Sequence, residues 1–237
     1  MIKNLILKIL NKLIIFINNR LLIKKRPSSP ADLYFEEVSK NSYEKFKDYF
    51  KDAFVFGDDN SIRSFAIEEA TKKFDNTHLF LEFGVFKGDS INLFARNLKK
   101  INAKVFGFDS FKGLKDVWIT EEYNPSGTFN LKGNKPKTES NVELIDGWVE
   151  ETVVNFFENN KKKIAFIHFD LDTYKSTSFV LKKIKRFFQP GTVILFDEFY
   201  GFPNWEKYEY KAFKEEIEQE KFKYIAFGTR QACIIIL

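Results

Sequence analysis

Carboxylates follow two of the most apolar segments of the chain. Asp170 and Asp172 end the stretch FIHFDLD, and Asp197 and Glu198 follow the stretch VILF. If the two segments are neighbouring strands, these carboxylates lie within about 5 Å, where two like charges repel by about 3 kcal/mol. A divalent cation, a nearby Lys or Arg, or a raised pKa must offset this repulsion.

The pattern predicts a metal role for Asp170, Asp197 and Glu198. An all-oxygen site suits a hard ion such as Mg²⁺, Mn²⁺ or Ca²⁺. A metal there polarises a substrate hydroxyl and lowers its pKa, so that the hydroxyl becomes a nucleophile at neutral pH. The alternative is that some of these acids cap the helices that follow, and Asp172 suits that alternative best.

The proton of such a hydroxyl needs an acceptor close by. The candidate bases are His168, two residues before Asp170 on the same segment, and a carboxylate of Asp170 or Asp172. The sequence does not choose among them. For His168 the alternative is a hydrogen-bonded structural histidine.

A glycine-containing turn follows an earlier apolar segment, in LEFGVFKGDS. Glu82 lies near the end of this segment, and Gly84 and Gly88 bracket the turn into a helix. Glycine lets the backbone approach a ligand closely, and the helix N-terminus supplies free N–H groups. This segment is a candidate ligand-binding turn, and an ordinary strand-to-helix turn is the alternative.

Two further strand ends carry groups that suit a nucleoside. Asp109 follows Gly88 by 21 residues, close to the spacing at which an acid accepts hydrogen bonds from a ribose. Asp146-Gly147-Trp148 ends the next segment, where Trp148 either stacks on a flat base or packs in the core. Only two glycines of G-x-G-x-x-G are present, at wider spacing. A nucleoside cofactor without a pyrophosphate, such as S-adenosylmethionine, therefore fits better than a dinucleotide.

The elements that must position these residues alternate between apolar runs and helical patterns from residue 78 onward. Such alternation predicts an α/β fold, with a parallel sheet and helices on both faces. The last two runs, KYIAFGT and QACIIIL, are too close for a crossover helix and predict an antiparallel hairpin. Ligands bind at the carboxyl ends of such strands, where the residues named above fall.

The N-terminal segment differs in charge from the rest of the chain. Residues 1–26 hold seven of the 38 Lys and Arg and no acid, which leaves 31 basic and 33 acidic residues elsewhere. Residues 27–237 therefore have a net charge of −2 and lack the excess of basic residues expected of a nucleic-acid-binding protein. The segment reads as a basic amphipathic helix, which either covers the protein's own core or a homo-oligomer interface, or lies on an anionic membrane surface.

The domain prediction has three parts. Residues 1–30 are the amphipathic helix and a linker, residues 31–75 a helical cap, and residues 76–237 a Rossmann-like domain. The longest apolar run near the N-terminus is too short to span a bilayer, and no signal cleavage site follows it. Cys233 is the only cysteine, which favours a reducing, cytoplasmic location. If the amphipathic segment lies on a membrane, the expected place is its inner face.

Taken together, five motifs resemble those of class I S-adenosylmethionine-dependent methyltransferases, and in particular the macrocin O-methyltransferase (TylF-type) family. They are LEFGVFKGDS, VFGFDSFKGL, NVELIDGW, FIHFDLDTYKST and GTVILFDEF, and the resemblance covers about residues 60–237. It implies a Rossmann-like, seven-stranded, mostly parallel sheet with a C-terminal antiparallel hairpin. It also implies that the Asp170, Asp197 and Glu198 positions ligate Mg²⁺, although family members often have two aspartates at the second of these strand ends.

The same resemblance assigns the cofactor-binding residues. It places Glu82, Gly84 and Gly88 along the methionine end of S-adenosylmethionine and Asp109 on the ribose. Ser110 and the segment Asp146-Gly147-Trp148 would flank the adenine.

The expected reaction is O-methylation of a hydroxyl on a sugar or another small-molecule or glycan acceptor. Residues 115–138 form either a lid over the acceptor or a surface insertion. An alternative hypothesis is that Asp170-Leu171-Asp172 is the D-x-D motif of a metal-dependent nucleotide-sugar glycosyltransferase. This hypothesis gives no role to Asp109 or to the glycine turn. A non-catalytic binding protein on a methyltransferase-like scaffold is the third reading.

Overall fold

The structure, a computed structural model, describes residues 29–237. The predicted amphipathic helix of residues 1–26 lies outside the described residues, so its contact with a membrane or a second copy stays a prediction. The cytoplasmic location also stays a prediction. Among the described helices, none is long and apolar enough to cross a membrane.

The chain divides into two compact units, residues 1–37 and residues 38–237. The described part of the first unit begins helix α1 (Pro30–Phe50). Ser29 and Asp32 cap this helix reciprocally, because the Ser29 N–H and hydroxyl donate to the Asp32 carboxylate and the Asp32 N–H donates to Ser29 Oγ. The predicted boundaries at residues 30 and 75 stay a prediction.

The second unit is built on an eight-stranded sheet of order β1-β9-β10-β8-β7-β2-β3-β6. Its strands are β1 (Phe54–Val55), β2 (Leu79–Phe83), β3 (Val105–Asp109), β6 (Val142–Asp146), β7 (Ile164–Phe169), β8 (Val193–Phe196), β9 (Phe222–Phe227) and β10 (Ala232–Ile236). Only β10 runs antiparallel to its neighbours β8 and β9. The predicted α/β fold with a terminal hairpin is confirmed, and the two-residue edge strand β1 adds one strand to the seven expected.

Helices cover both faces of the sheet. Besides α1 they are α2 (Asp59–Thr71), α3 (Asp89–Leu98), α4 (Val149–Asn159), α5 (Tyr174–Ile184) and α6 (Glu209–Glu216). One buried cluster joins the sheet to α4, α5 and α6, and a second joins it to α2 and α3. A separate two-stranded hairpin, β4 (Trp118–Ile119) and β5 (Tyr123–Asn124), lies within residues 115–138.

A row of four phenylalanines runs across the middle of the sheet near the carboxyl ends of its strands. Phe108, Phe83, Phe169 and Phe196 are paired in register on β3, β2, β7 and β8. All four are fully buried, and neighbouring ring centroids lie 4.8, 5.5 and 5.1 Å apart in stacked orientations. Because the row aligns the four strands, the residue that follows each phenylalanine falls at the same level.

Candidate functional site

The residues after the phenylalanine row are Asp109, Gly84, Asp170 and Asp197. The strand ladder continues into them, since the N–H groups of Gly84, Asp170 and Asp197 donate to the carbonyls of the neighbouring strands at 2.8 to 2.9 Å. The order of strands also reverses at β2, which has β3 on one side and β7 on the other. Open α/β sheets bind ligands at such a switch point.

A cavity of about 290 Å³ opens above this row. Nine residues predicted from the sequence line it: Gly84, Asp109, Ser110, Gly147, Trp148, Asp170, Asp172, Asp197 and Glu198. Four others, Glu82, Gly88, Asp146 and His168, are not part of its lining. Most of the predicted nucleoside-binding and acidic residues therefore share one cavity.

Gly84 is required by a close approach of two loops. Its φ is +88°, and a Cβ at this position would lie 1.8 Å from the carbonyl oxygen of Asp170. Any side chain here forces the loops after β2 and β7 apart. Gly88 precedes α3 with a φ of +86°, so it shapes the turn without facing the cavity.

Asp109 joins the loop after β2 to the loop after β3. Its Oδ2 accepts the N–H groups of Val85 and Phe86 at 2.9 and 2.8 Å, and its Oδ1 accepts the N–H of Phe111 at 2.7 Å. Because Oδ1 accepts only one of these bonds, it keeps acceptor capacity for a ligand. The ribose-binding role stays a prediction, and the structure adds a role in holding the glycine turn.

The residues at the end of β6 lie partly in solvent and partly in the cavity wall. Asp146 is exposed, and its Oδ2 lies 3.3 Å from the ammonium of Lys135. Gly147 and Trp148 line the cavity, and Lys115 lies 5.5 Å from the centroid of a Trp148 ring. Trp148 is thus at the cavity wall, as base stacking requires.

His168 lies under the cavity floor between two carboxylates. Its Nδ1 is 2.8 Å from Glu82 Oε1, and its Nε2 is 3.2 Å from Asp197 Oδ1. Both His168 and Glu82 are fully buried. Burial lowers the pKa of His168, but hydrogen bonds to Asp197 and Glu82 outweigh it and raise the pKa. This position supports the structural alternative for His168, and it places Glu82 behind the cavity wall.

Two residues that the sequence did not single out complete the surroundings of Asp197. Nη2 of Arg63, on α2, and Nε2 of Gln231, beside β10, each donate to Asp197 Oδ1 at 2.7 Å. Burial alone would raise the pKa of Asp197, yet the hydrogen bond from His168 and the charges of His168 and Arg63 lower it. Asp197 is therefore the ionised member of the acidic group.

The remaining acids at the cavity carry raised pKa values. Burial and the charge of Asp197 raise the pKa of Asp170 well above its ordinary value and that of Asp172 to about 7. Burial raises the pKa of Glu198 to about 8, although the nearby Arg230 opposes this shift. These three carboxyl groups lack the compensation that Asp197 receives.

The donor set fits a hard divalent cation in part. Ligand atoms of His168, Asp170 and Asp197 lie within 4.8 Å of one another, and Glu198 is outside this group. The Oε2 atom of Glu198 is buried without a hydrogen-bond partner in the described part of the chain, and it lies 3.5 Å from Nη1 of Arg230. Carboxylate oxygens that face a cavity are the ligands that such an ion prefers. Asp170 and Asp197 are thus brought together as predicted, and a ligand role of Glu198 stays a prediction.

The segment of residues 115–138 contributes to the cavity. Lys115, Trp118 and Phe129 line it, and Trp118 Nε1 is buried without a hydrogen-bond partner among residues 29–237. The hydroxyl of Tyr208 accepts the N–H of Ile119 at 2.9 Å and so ties the β4–β5 hairpin to the chain that precedes α6. The segment therefore forms part of the cavity wall, and its role as a lid stays a prediction.

Comparisons with solved structures confirm the fold. The calicheamicin methyltransferase CalS11 aligns over 87% of this chain and 93% of its own, with a TM-score of 0.64 and 21% identity. The apo structure of CalS11, described as a TDP-rhamnose 3'-O-methyltransferase, aligns over 87% and 95% with a TM-score of 0.55 and 19% identity. The O-methyltransferase NovP aligns over 75% and 78% with a TM-score of 0.56 and 16% identity.

Sequence comparison identifies the family. No curated protein sequence matches the chain. Residues 81–199, half of the chain, match the profile of a family described as "Methyltransferase domain". This match spans β2 to the loop after β8, which carries most of the cavity lining. The chain therefore belongs to this methyltransferase family.

Proposed function

We propose that the protein is an S-adenosylmethionine-dependent O-methyltransferase that acts on a hydroxyl of a sugar or another small-molecule or glycan acceptor. One observation carries this proposal. A single cavity on a methyltransferase domain is lined by the glycine turn, Asp109 and Trp148 on one side and by Asp170 and Asp172 on the other. A nucleoside cofactor and a hydroxyl acceptor would then meet in the same space.

The cofactor would occupy the side formed by the loops after β2, β3 and β6. S-adenosylmethionine would supply an electrophilic methyl group. The backbone at Gly84 would hold its methionine end, Asp109 would accept a hydrogen bond from the ribose, and Ser110, Gly147 and Trp148 would flank the adenine. The cation of Lys115 beside Trp148 closes this side of the cavity.

A Mg²⁺ ion would be held by Asp170 and Asp197, with Glu198 as a third ligand. Such an ion supplies positive charge that lowers the pKa of an acceptor hydroxyl. The raised pKa of Asp170 supports this proposal, because burial and the charge of Asp197 disfavour its ionised form in the absence of an ion. Burial also raises the pKa of Glu198, although Arg230 lies 3.5 Å away and opposes the shift. The bonds that Asp197 makes through Oδ1 leave Oδ2 as its ligand atom.

Asp172 is the general base in this proposal. It lines the cavity, and burial raises its pKa to about 7, near the value at which a base acts at neutral pH. One of its carboxylate oxygens takes the proton from the acceptor hydroxyl. His168 does not reach the cavity, and its two ring nitrogens hold Glu82 and Asp197 in place.

The lid segment shapes the acceptor side. Trp118 and Phe129 form an apolar wall that excludes water, and the unpartnered Trp118 Nε1 is a donor for a polar group of the ligand. A neutral polyhydroxylated acceptor would suit both features, since it can pack against the apolar wall and accept a hydrogen bond from Trp118 Nε1. The description of CalS11 as a TDP-rhamnose 3'-O-methyltransferase makes sugars the first acceptors to screen.

Isothermal titration with S-adenosylhomocysteine tests the cofactor assignment. Binding of S-adenosylhomocysteine, and no binding of a nucleoside diphosphate alone, is expected; the reverse result favours a glycosyltransferase. Failure to bind either molecule favours the non-catalytic scaffold.

Transfer of a labelled methyl group to a panel of sugar-containing acceptors then tests the reaction. EDTA and Asp197→Ala are expected to abolish transfer. Asp75→Ala, a change at an exposed aspartate that hydrogen-bonds Thr77 and His78, is expected to leave it unchanged. Full activity in EDTA and in Asp197→Ala would remove the metal from the proposal.

A further inference from the structure

The buried carboxylate of Glu209 links the loops after β7 and β8, which carry the acidic residues of the site. Glu209, the first residue of α6, is fully buried. Its Oε1 accepts the main-chain N–H of Leu171 at 3.1 Å, and its Oε2 accepts the main-chain N–H of Glu198 at 3.3 Å. Leu171 stands between Asp170 and Asp172, and Glu198 follows Asp197. One side chain therefore bonds the backbone of both loops.

We propose that Glu209 is a positioning residue that fixes the spacing of the loops after β7 and β8 and thereby the placing of their carboxylates. This inference rests on the proposed function, since it assigns the structural origin of that site. Glu209 lies ten residues beyond the family match, and its two hydrogen bonds go to the two acid-bearing loops.

The chemistry of a carboxylate suits this task. Two N–H groups on different loops need two acceptor atoms at a fixed separation, and a carboxylate provides them in one rigid plane. A glutamine provides only one acceptor oxygen, and its amide nitrogen is a donor. Glutamine at residue 209 would leave one of the two N–H groups without a partner.

The loop after β7 needs an external anchor because its backbone is tight. Asp172 has a φ of +60°, and the N–H of Thr173 donates to the carbonyl of Leu171 at 2.5 Å, which closes a three-residue turn around Asp172. Non-glycine residues in this conformation persist only when their surroundings hold them. The bond from the Leu171 N–H to Glu209 holds the start of this turn.

Packing alone does not explain Glu209. A buried carboxylate costs stability, and the nearest charges, those of Asp172 and Asp170, add repulsion. Burial and these charges raise its pKa well above the ordinary value, and a protonated carboxyl group still has lone pairs on both oxygens for the two N–H groups. The two main-chain bonds are the favourable interactions that the structure shows at this carboxylate.

The helix that carries Glu209 is held firmly. The ring of Phe213, one turn later on α6, packs at 5.4 and 5.5 Å from the rings of Phe196 and Phe199. Phe196 belongs to the phenylalanine row under the site. Glu209 is thus fixed to the same core as the strands whose loops it joins.

The matched control is Glu216, at the other end of α6. Its side chain is 7% exposed, and it pairs with Lys182 and Lys185 of the α5 region at 3.5 and 3.1 Å. Glu216→Gln removes a nearly buried carboxylate from the same helix without touching either loop. It therefore reports the cost of losing such a group to stability alone.

The test compares wild type, Glu209→Gln and Glu216→Gln by calorimetric titration with Mn²⁺ and by amide hydrogen exchange. Glu209→Gln is expected to weaken Mn²⁺ binding about tenfold or more, as changes to groups that orient metal ligands do. It is also expected to speed exchange at the amides of Leu171 and Glu198. Glu216→Gln is expected to lower the melting temperature and to leave Mn²⁺ binding and both amides unchanged.

The inference is overturned if Glu209→Gln binds Mn²⁺ like wild type, if both variants lose binding equally, or if wild type binds no Mn²⁺. Failure of wild type to bind S-adenosylhomocysteine defeats the proposed function instead, while the Mn²⁺ and exchange comparison still decides the role of Glu209. Should Glu209→Gln not fold, Glu209→Asp makes the same comparison, since it keeps both oxygens on a side chain one methylene shorter.

Discussion

The guanidinium of Arg63 lies 2.7 Å from Oδ1 of Asp197, although 134 residues separate the two in the chain. Their side chains are only 15% and 14% exposed. Arg63 comes from α2, outside the matched family segment, and its charge acts with His168 to lower the pKa of Asp197 beside Asp170. A nearby Lys or Arg was one of the features expected to offset the repulsion between the crowded carboxylates. Arg63 provides this feature at Asp197.

Replacement of Arg63 by glutamine should destabilise the protein strongly. Removing one partner of a buried pair leaves the other charge uncompensated, and His168 and Gln231 replace only part of the loss. We expect the free energy of unfolding to fall by about 2–3 kcal/mol, measured by urea denaturation. Arg96→Gln is the control, because Arg96 is 57% exposed and lies 3.5 Å from Glu139. Its expected cost is about 0.5 kcal/mol, and equal losses in both variants would contradict the prediction.

Gly84→Ala should abolish cofactor binding because the added methyl group collides with the carbonyl of Asp170. Gly127→Ala is a matched control. Gly127 has the same φ of +88°, but a Cβ there meets nothing within 4 Å. Both variants carry the backbone strain, so the difference between them isolates the close approach of the two loops. Titration with S-adenosylhomocysteine measures it, and similar affinities in the two variants would refute this account of Gly84.

Glu121→Gln should loosen the lid segment. Nη2 of Arg230 lies 2.8 Å from Glu121 on the β4–β5 hairpin, and its Nη1 lies 3.5 Å from Glu198 at the cavity. A partly exposed ion pair contributes less than about 1 kcal/mol, so dissociation of S-adenosylhomocysteine should speed up about threefold. Stopped-flow tryptophan fluorescence measures the rate, since Trp118 and Trp148 line the cavity. The neighbouring change Glu122→Gln should leave the rate unchanged, and an equal effect of both changes counts against the contact.

The metal-free protein should lose stability as the pH rises from about 5 to 8.5. Burial raises the pKa of Glu198 from 4.5 to about 8, so in this range the folded state holds a proton that the unfolded state has released. The contribution is complete below pH 4.5 and is lost as the pH rises through 8. Asp172, with a pKa of about 7, acts in the same direction.

Glu198→Gln separates these contributions because glutamine does not titrate. In EDTA, the melting temperature of wild type should fall more than that of Glu198→Gln over this pH range, by roughly 5 °C. Mg²⁺ should reduce the difference by neutralising the carboxylates. Parallel melting curves for the two proteins across the range would show that Glu198 is ionised in the folded state at all these pH values.

The local pattern of the chain was sufficient to predict the sheet, the terminal hairpin and the strand ends that carry the site. Apolar runs that alternate with helical periodicity determine a parallel sheet, and polar residues directly after such runs must lie at its carboxyl edge. Gly84, Asp109, Asp170 and Asp197 followed from this rule alone. Their common level depends on the register of the phenylalanine row, which the strand pairing in the structure shows.

The tertiary structure decided which groups surround these residues. Arg63, Glu209 and Gln231 approach the acidic loops from elements that carry no motif, so no spacing in the sequence announced them. It also decided that Glu82 and His168 pair beneath the cavity. Alternation along β2 and β7 sends every second side chain to the opposite face of the sheet, and only the helices packed there determine whether that side chain meets solvent, a ligand or another buried charge.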